Sequence, residues 1–220
     1  MSKDNFKVLL IDDRPNRQER FLDGERKLQY YIDSGVLTNI VGGTDFDLVK
    51  TKFENSNFLM LQDYDFIAIH RSAVNTEIRN QIISRVDKRK RLIFFSGGIS
   101  ESNLIKSQGN QLLLINSKTF YDNLILFLDA CQKGNKDSLM QLAYGKNWEL
   151  NLLYEALEKF YSLLNKESNI SEYFYEFEIE IPNEYIKLRY FKDCEANTII
   201  TSDILKSITS SILNDINNIL

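Results

Sequence analysis

The chain has 220 residues, of which 43% are hydrophobic and 26% are charged, a composition typical of a folded globular protein. Two prolines and nine glycines are too few for collagen-like, proline-rich or linker-dominated classes. Residues 1–136 carry 20 Lys and Arg against 17 Asp and Glu, whereas residues 137–220 carry 7 against 14, and this acidic part disfavours a C-terminal DNA-binding domain.

The first 130 or so residues alternate short apolar runs with longer amphipathic stretches, which is typical of strand and helix units on a parallel sheet. The apolar residues within each run are consecutive, and this predicts strands that are buried on both faces. The predicted strands are residues 7–11, 36–41, 65–70, 92–95 and 112–115.

A helix is predicted after each strand. The first begins near Pro15, and Gly24 is a potential break within it. The later helices are predicted over residues 45–61, 76–91, 101–107 and 121–131. Five such units predict an α/β domain over residues 1–133, built on a doubly wound, five-stranded parallel sheet.

Residues 137–220 predict a second, smaller α+β domain. Apolar residues recur at helical spacing over residues 148–164. The alternating run FYEFEIEI at 174–181 and the apolar run at 185–191 flank a Pro-Asn-Glu turn, which predicts an antiparallel hairpin. Thr201 or Ser202 is expected to cap a final helix.

No segment has the features of a membrane helix or a secretion signal. The longest apolar runs, LLLI and LILFL, are far shorter than the roughly 20 residues that cross a bilayer, and the N-terminus MSKDNF lacks a basic, hydrophobic leader. Cys131 and Cys194 stand in no metal-binding spacing, which favours two buried thiols. We therefore expect a cytoplasmic protein.

Polar residues follow several of the predicted strands at their carboxyl ends, where doubly wound sheets bind their ligands. Asp12 and Asp13 follow the first strand, and His70 ends the third. Ser96 follows the fourth strand, and Lys118 follows the fifth. These five residues are the candidate functional set.

Four motifs, KVLLIDDRPN, DFIAIH, FFSGG and KTF, together resemble the receiver domain of bacterial two-component response regulators. The resemblance covers about residues 5–132 and extends to the order and spacing of the motifs. Two positions depart from the family pattern: the usual Lys-Pro step reads Lys118-Thr119, and an often aromatic position holds Ile115.

The resemblance implies a role for each candidate residue. Asp12 and Asp13 match the acidic pair that holds Mg²⁺, Ser96 matches the hydroxyl residue that senses a phosphoryl group, and Lys118 matches the lysine that contacts it. His70 stands in place of the phosphoryl-accepting aspartate, so the usual acyl phosphate cannot form. Lys118 is also a candidate to neutralise the acidic pair.

Three roles remain open for His70. The imidazole is a candidate phosphoryl acceptor, or a ligand that joins Asp12 and Asp13 around Zn²⁺, Mn²⁺ or Fe²⁺. The plainest alternative is that His70 fills the old acceptor pocket and hydrogen-bonds one of the aspartates. The basic run at residues 85–91 is interpreted as a solvated helix end, which makes a nucleic-acid partner unexpected.

The sequence therefore favours a regulatory protein that acts by protein–protein interaction without aspartyl phosphorylation, with a protein partner or a second copy of itself. One alternative is a metal-dependent phosphoester hydrolase that uses Asp12, Asp13 and His70. A second alternative is a response regulator with a DNA-directed output.

Overall fold

Each of the five apolar runs forms a strand in the computed structural model of the chain. The structure describes residues 6–22, 26–42, 51, 55, 58–87, 90–100, 102–107, 110–164 and 202–220. The chain divides into two compact units, Met1–Lys146 and Asn147–Leu220. No helix among these described residues is both long enough and apolar enough to cross a membrane.

The first unit contains a six-stranded, mostly parallel sheet. Its strands are β1 Val8–Asp12, β2 Leu37–Val41, β3 Phe66–His70, β4 Arg91–Ser96, β5 Asn103–Ser107 and β6 Asn110–Asn116. The spatial order is β2-β1-β3-β4-β6-β5. All neighbouring pairs are parallel except β5 and β6, which are antiparallel.

The predicted five-stranded parallel sheet is therefore wrong in one respect, since the segment predicted as a helix at residues 101–107 is the edge strand β5. The antiparallel pairing of β5 with β6 runs from Asn103 opposite Leu114 to Ser107 opposite Asn110. Leu104 packs against the hydrophobic core of one sheet face. Pairing with a buried neighbour thus decides the conformation of this short segment, and its own helical propensity does not.

The helices that the structure describes are numbered α1 to α7. They are α1 Pro15–Leu22, α2 Arg26–Asp33, α3 Thr76–Arg85, α4 Ser117–Gln132, α5 Ser138–Tyr144, α6 Trp148–Leu164 and α7 Ser202–Ile219. Asparagine side chains cap α3 and α4, because Asn75 accepts from the Ile78 N–H and Asn116 accepts from the Lys118 N–H, each at 2.8 Å.

Several helix predictions need correction. The helix predicted over residues 76–91 ends at Arg85, because Val86 is extended and Arg91 already pairs with Phe66 as the first residue of β4. Helix α5 was not predicted. Most of the helix predicted over residues 45–61 lies outside the described residues, and Leu59–Asp63 is a 3₁₀-helix.

The described part of the second unit consists of helices α6 and α7, which pack against each other. Helix α6 has the bounds that its apolar spacing predicts. The hairpin predicted at residues 174–191 and Cys194 lie outside the described residues. The division into domains at residues 1–133 and 137–220 stays a prediction. Helix α5, which falls in the predicted second domain, belongs to the first compact unit.

Both faces of the sheet are covered, which explains why the strand residues are apolar without alternation. Val8, Leu10 and Phe95 face one core, which includes residues of α2, α4 and α5. Leu9 and Phe94 face the opposite core, which includes residues of the 3₁₀-helix and α3. The strand order reverses between β1 and β3, and ligands bind at such a switch point in open α/β sheets.

Gly42 fixes the loop that carries the acidic pair. It has a φ angle of 20°, and its N–H donates to the Asp12 carbonyl at 2.9 Å. A methyl group on Gly42 would lie 2.8 Å from Cδ of Pro15 and 3.0 Å from the Asp13 carbonyl oxygen. Replacing this glycine must therefore displace the loop after β1.

We expect Gly42→Ala to lower the free energy of unfolding by about 1 to 3 kcal/mol because of this clash. The measurement is urea denaturation. Gly97→Ala is the control, since a methyl group there meets no atom within 4 Å. Equal stability of the two variants would contradict the prediction.

Candidate functional site

Asp12, Asp13 and His70 meet at the switch point of the sheet. Asp12 ends β1, Asp13 follows it, and His70 ends β3. The two strands are parallel neighbours in register, with Ile11 opposite Ile69, so their carboxyl ends lie at the same edge. One ligand atom from each of the three residues lies within 4.8 Å of the others.

The guanidinium group of Arg17 bridges the two carboxylates. Its Nη1 lies 2.5 Å from Oδ1 of Asp12 and 3.1 Å from Oδ1 of Asp13. Arg17 lies in the first turn of α1, four residues after Asp13, and its side chain is largely buried. The guanidinium thus compensates one of the two carboxylate charges of the acidic pair from within the chain.

Asp12 is completely buried, and hydrogen bonds reach both of its carboxylate oxygens. Arg17 and the Arg14 N–H contact Oδ1, the N–H at 3.1 Å, while the Tyr121 hydroxyl donates to Oδ2 at 2.5 Å. Burial raises the pKa of Asp12 above its ordinary value, and the bonds from Tyr121, Arg14 and Arg17 oppose this rise. Burial and the neighbouring Asp12 also raise the pKa of Tyr121, which therefore remains a donor.

Tyr121 links the site to the edge strand β2. Its ring stacks on Phe21, with 5.4 Å between the centroids, and its hydroxyl also contacts the Gln18 side chain. Gln18 and Asn39, a residue of β2, exchange two hydrogen bonds of 2.9 Å. The polar network of the site therefore includes α1, α4 and β2.

Ser72 connects Asp13 with His70. Its hydroxyl donates to Oδ1 of Asp13 at 2.7 Å and lies 2.6 Å from Nδ1 of His70. The Ser72 backbone N–H also donates to Nδ1 at 3.2 Å. Because Nδ1 accepts this bond, it carries a lone pair, and the imidazole is neutral with its proton on Nε2.

The pKa shifts agree with this assignment. Burial, together with the charges of Arg17 and Arg14 and against the opposing charge of Asp13, lowers the pKa of His70 to about 4. Burial alone would raise the pKa of Asp13, but the bond from Ser72 and the charge of Arg17 outweigh it and lower that pKa. At neutral pH, Asp13 is therefore ionised and His70 is uncharged.

The two other sequence-predicted residues have different partners. Nζ of Lys118 lies 2.5 Å from Oδ2 of Asp122, one helical turn further along α4, and this pair is exposed. Lys118 is a predicted partner of the acidic pair, but it pairs with Asp122, and Arg17 is the residue that contacts both aspartates. The Ser96 hydroxyl accepts a bond of 3.4 Å from the Gly98 N–H. The structure thus brings Asp12, Asp13 and His70 together, and Ser96 and Lys118 have their described contacts elsewhere.

Sequence reasoning missed Arg17, Ser72 and Tyr121 as site residues. The sequence did contain a signal for Arg17, because it follows Asp13 by four residues at a helix start. An acid and a base at this spacing form an ion pair in many helices. Ser72 and Tyr121 left none, because their aspartate partners are 59 and 109 positions away in the chain.

The comparisons with known proteins do not assign this chain. Models of protein families, curated protein sequences and solved structures were compared with it, and none of them matches. The function is therefore argued from the site itself.

The donor set does not fit Mg²⁺, the ion that the receiver resemblance implies. Mg²⁺ prefers octahedral oxygen ligands, whereas position 70 offers a neutral nitrogen and Arg17 already pairs with both carboxylates. The place of a phosphoryl-accepting carboxylate is likewise taken by His70, whose ring packs edge-on against Phe95. At the position for which the resemblance implies a phosphoryl-accepting carboxylate, the site therefore has an imidazole.

The lowered pKa of His70 predicts a loss of stability in mild acid. Between pH 6.5 and 4, the unfolded chain binds a proton at His70 that the folded chain excludes, so the free energy of unfolding falls as the pH falls. The loss attributable to His70 between about pH 7.5 and about pH 5 is about 2 kcal/mol.

Urea denaturation of the wild type and of His70→Asn at both pH values isolates this contribution. The variant should lose about 2 kcal/mol less than the wild type over the same interval. An equal loss in both proteins would show that His70 does not exclude the proton.

Proposed function

We propose that this protein is a receiver-like regulatory module that acts by binding a protein partner, without aspartyl phosphorylation. The observation that carries the proposal is the Arg17 bridge between Asp12 and Asp13, next to an imidazole at position 70. In a receiver pocket these places belong to a metal ion and a phosphoryl-accepting carboxylate. In this proposal the Arg17 guanidinium takes the place of the metal ion, and the His70 imidazole takes the place of the acceptor carboxylate. Both groups hold the pocket in a single conformation.

The architecture supports the receiver likeness. Without the antiparallel β5, the parallel strands follow the order β2-β1-β3-β4-β6, the arrangement of flavodoxin-like sheets. Asp12 and His70 end the two strands on either side of the switch point. The proposal therefore keeps the scaffold of a receiver and changes its chemistry.

Exposed aromatic residues suit the proposed protein contact. On α6, Tyr154 and Tyr161 are 43% and 47% exposed, and residues seven positions apart lie on the same helix face. Tyrosine is enriched in protein interfaces. We take this face as the candidate contact with a protein partner or a second copy of the chain, because the acidic charge of residues 137–220 disfavours nucleic acid.

The hydrolase alternative receives less support from the site. A metal-dependent hydrolase needs an open metal position for water or substrate, whereas the Arg17 guanidinium contacts both aspartates. His70 also directs Nδ1 to Ser72, which donates to it through its own backbone. The arrangement supports a stable closed pocket better than a hydrolytic centre.

The test is intact-mass spectrometry after incubation with acetyl phosphate and Mg²⁺. We expect the wild type to gain no phosphoryl mass, because position 70 lacks a carboxylate. The combined variant Arg17→Gln with His70→Asp frees the acidic pair and supplies an acceptor, so it should gain one phosphoryl group. Arg17→Gln with His70→Asn is the matched control, which opens the pocket equally but provides no acceptor and should gain none.

Two outcomes would contradict the proposal. A stoichiometric phosphoryl gain by the wild type would show a working phosphorylation switch. If Arg17→Gln with His70→Asp has a folded circular dichroism spectrum but gains no phosphoryl group, the pocket does not have receiver geometry.

A further inference from the structure

Helix α6 has two chemically different sides. Its buried residues, which lie between Leu152 and Phe160, form the apolar side. The exposed positions that the structure describes between residues 151 and 162 form the other side, and we call this set the α6 face. Its members are Asn151, Tyr154, Glu155, Glu158, Tyr161 and Ser162.

The two tyrosines of the α6 face flank a carboxylate. Successive residues of an α-helix lie about 100° apart around the axis and about 1.5 Å apart along it. Tyr154 and Tyr161 are therefore separated by about 20° around α6 and by about 10 Å along it. Glu158 lies between them along the axis, about 40° from Tyr154 around it. One partner segment can therefore contact both rings and this carboxylate.

The charge of the α6 face favours a cationic partner. Glu155 and Glu158 are its charged members, and residues 137–220 carry 14 Asp and Glu against 7 Lys and Arg. Complementary charge steers a basic protein surface to such a face, whereas the phosphates of a nucleic acid would be repelled. The exposed tyrosine rings favour arginine over lysine, because the planar guanidinium group stacks on aromatic rings and also pairs with carboxylates.

We infer that the α6 face binds a protein partner through a segment that presents arginine side chains. Guanidinium groups of that segment stack on the rings of Tyr154 and Tyr161, and the charge of Glu158 holds them between the rings. Tyrosine and arginine are the residues that contribute most often to the binding energy of protein interfaces. The inference deepens the proposed function and rests on it, because it states the chemistry of the partner that the regulatory module binds.

A second copy of the chain fits the α6 face less well. A two-fold symmetric dimer pairs the same surface of both copies. Glu158 lies near the middle of the segment between Tyr154 and Tyr161, so an axis through the middle of the face would set it against its own counterpart. Like charges that meet across an interface cost binding energy. The acidic residues thus favour a different protein with basic side chains.

The experiment titrates a fluorescein-labelled helical peptide with the full chain and follows the fluorescence anisotropy. The peptide carries arginine and leucine along one helix face, and a matched peptide has glutamate in place of every arginine. We expect only the arginine peptide to bind. Tyr154→Ala combined with Tyr161→Ala should weaken its binding at least about tenfold. Tyr154→Phe combined with Tyr161→Phe should keep the affinity within about threefold, because both rings remain.

A charge reversal tests the acidic part of the face. Glu158→Lys should weaken binding of the arginine peptide at least about tenfold, because an attractive charge becomes a repulsive one. Glu19→Lys is the matched control. Glu19 is an exposed residue of α1 in the first unit, and its substitution changes the net charge by the same amount. It should leave the affinity within about twofold, since screening by salt limits distant charges.

Several outcomes would overturn the inference. The arginine peptide does not bind, or the variant with both tyrosines replaced by alanine binds it like the wild type. Glu19→Lys weakens binding as much as Glu158→Lys, which would show that net charge alone attracts the peptide. A dimer of the wild type in sedimentation equilibrium that the double alanine variant loses would assign the α6 face to a second copy instead.

These results are separate from the phosphoryl assay of the pocket. An absent peptide signal leaves the mass result unchanged, because the α6 face lies in the second unit and the pocket lies in the first. A phosphoryl gain by the wild type contradicts the proposed function even if the arginine peptide binds.

Discussion

The pairing of Asp12 with Arg17 sets the conditions for the whole pocket. A carboxylate with no solvent exposure costs several kcal/mol of desolvation unless charges and hydrogen bonds compensate it. Asp12 meets that requirement with the Arg17 guanidinium, the Tyr121 hydroxyl and one backbone N–H. Each of these partners comes from a different position in the chain, so the buried charge ties the loop after β1, helix α1 and helix α4 to one another.

The constraint extends beyond Asp12 because its partners have further partners. A continuous series of polar contacts crosses the carboxyl edge of the sheet and passes, in order, through Asn39, Gln18, Tyr121, Asp12, Arg17, Asp13, Ser72 and His70. Networks of this kind resist the loss of a single member, because a buried polar group is then left without its bond. A change of charge at the aspartates would therefore reach β2 on one side and β3 on the other. This connectivity is compatible with the regulatory role proposed above.

Much of the scaffold follows from local patterns, and the rest depends on tertiary contacts. Consecutive apolar residues in strands such as Val8–Asp12 have a single physical explanation, burial on both faces, so these strands could be predicted. The edge strand Asn103–Ser107 could not, because pairing with β6 determines its conformation. The same distinction applies to the site. Asp12, Asp13 and His70 meet because parallel neighbouring strands end together, whereas Tyr121 reaches Asp12 only through the packing of α4.

A double-mutant cycle on Arg17 and Asp12 tests the central claim most directly. The free energy of unfolding would be measured by urea denaturation for the wild type, Arg17→Met, Asp12→Asn and the double variant. A parallel cycle on the exposed pair Lys118 and Asp122 provides the reference, where the coupling should be below about 1 kcal/mol. The account predicts a favourable coupling of at least about 2 kcal/mol between Arg17 and Asp12. If the effects of the two single substitutions on the free energy of unfolding add to within about 0.5 kcal/mol in the double variant, the account is contradicted. The guanidinium would then not compensate the buried carboxylate.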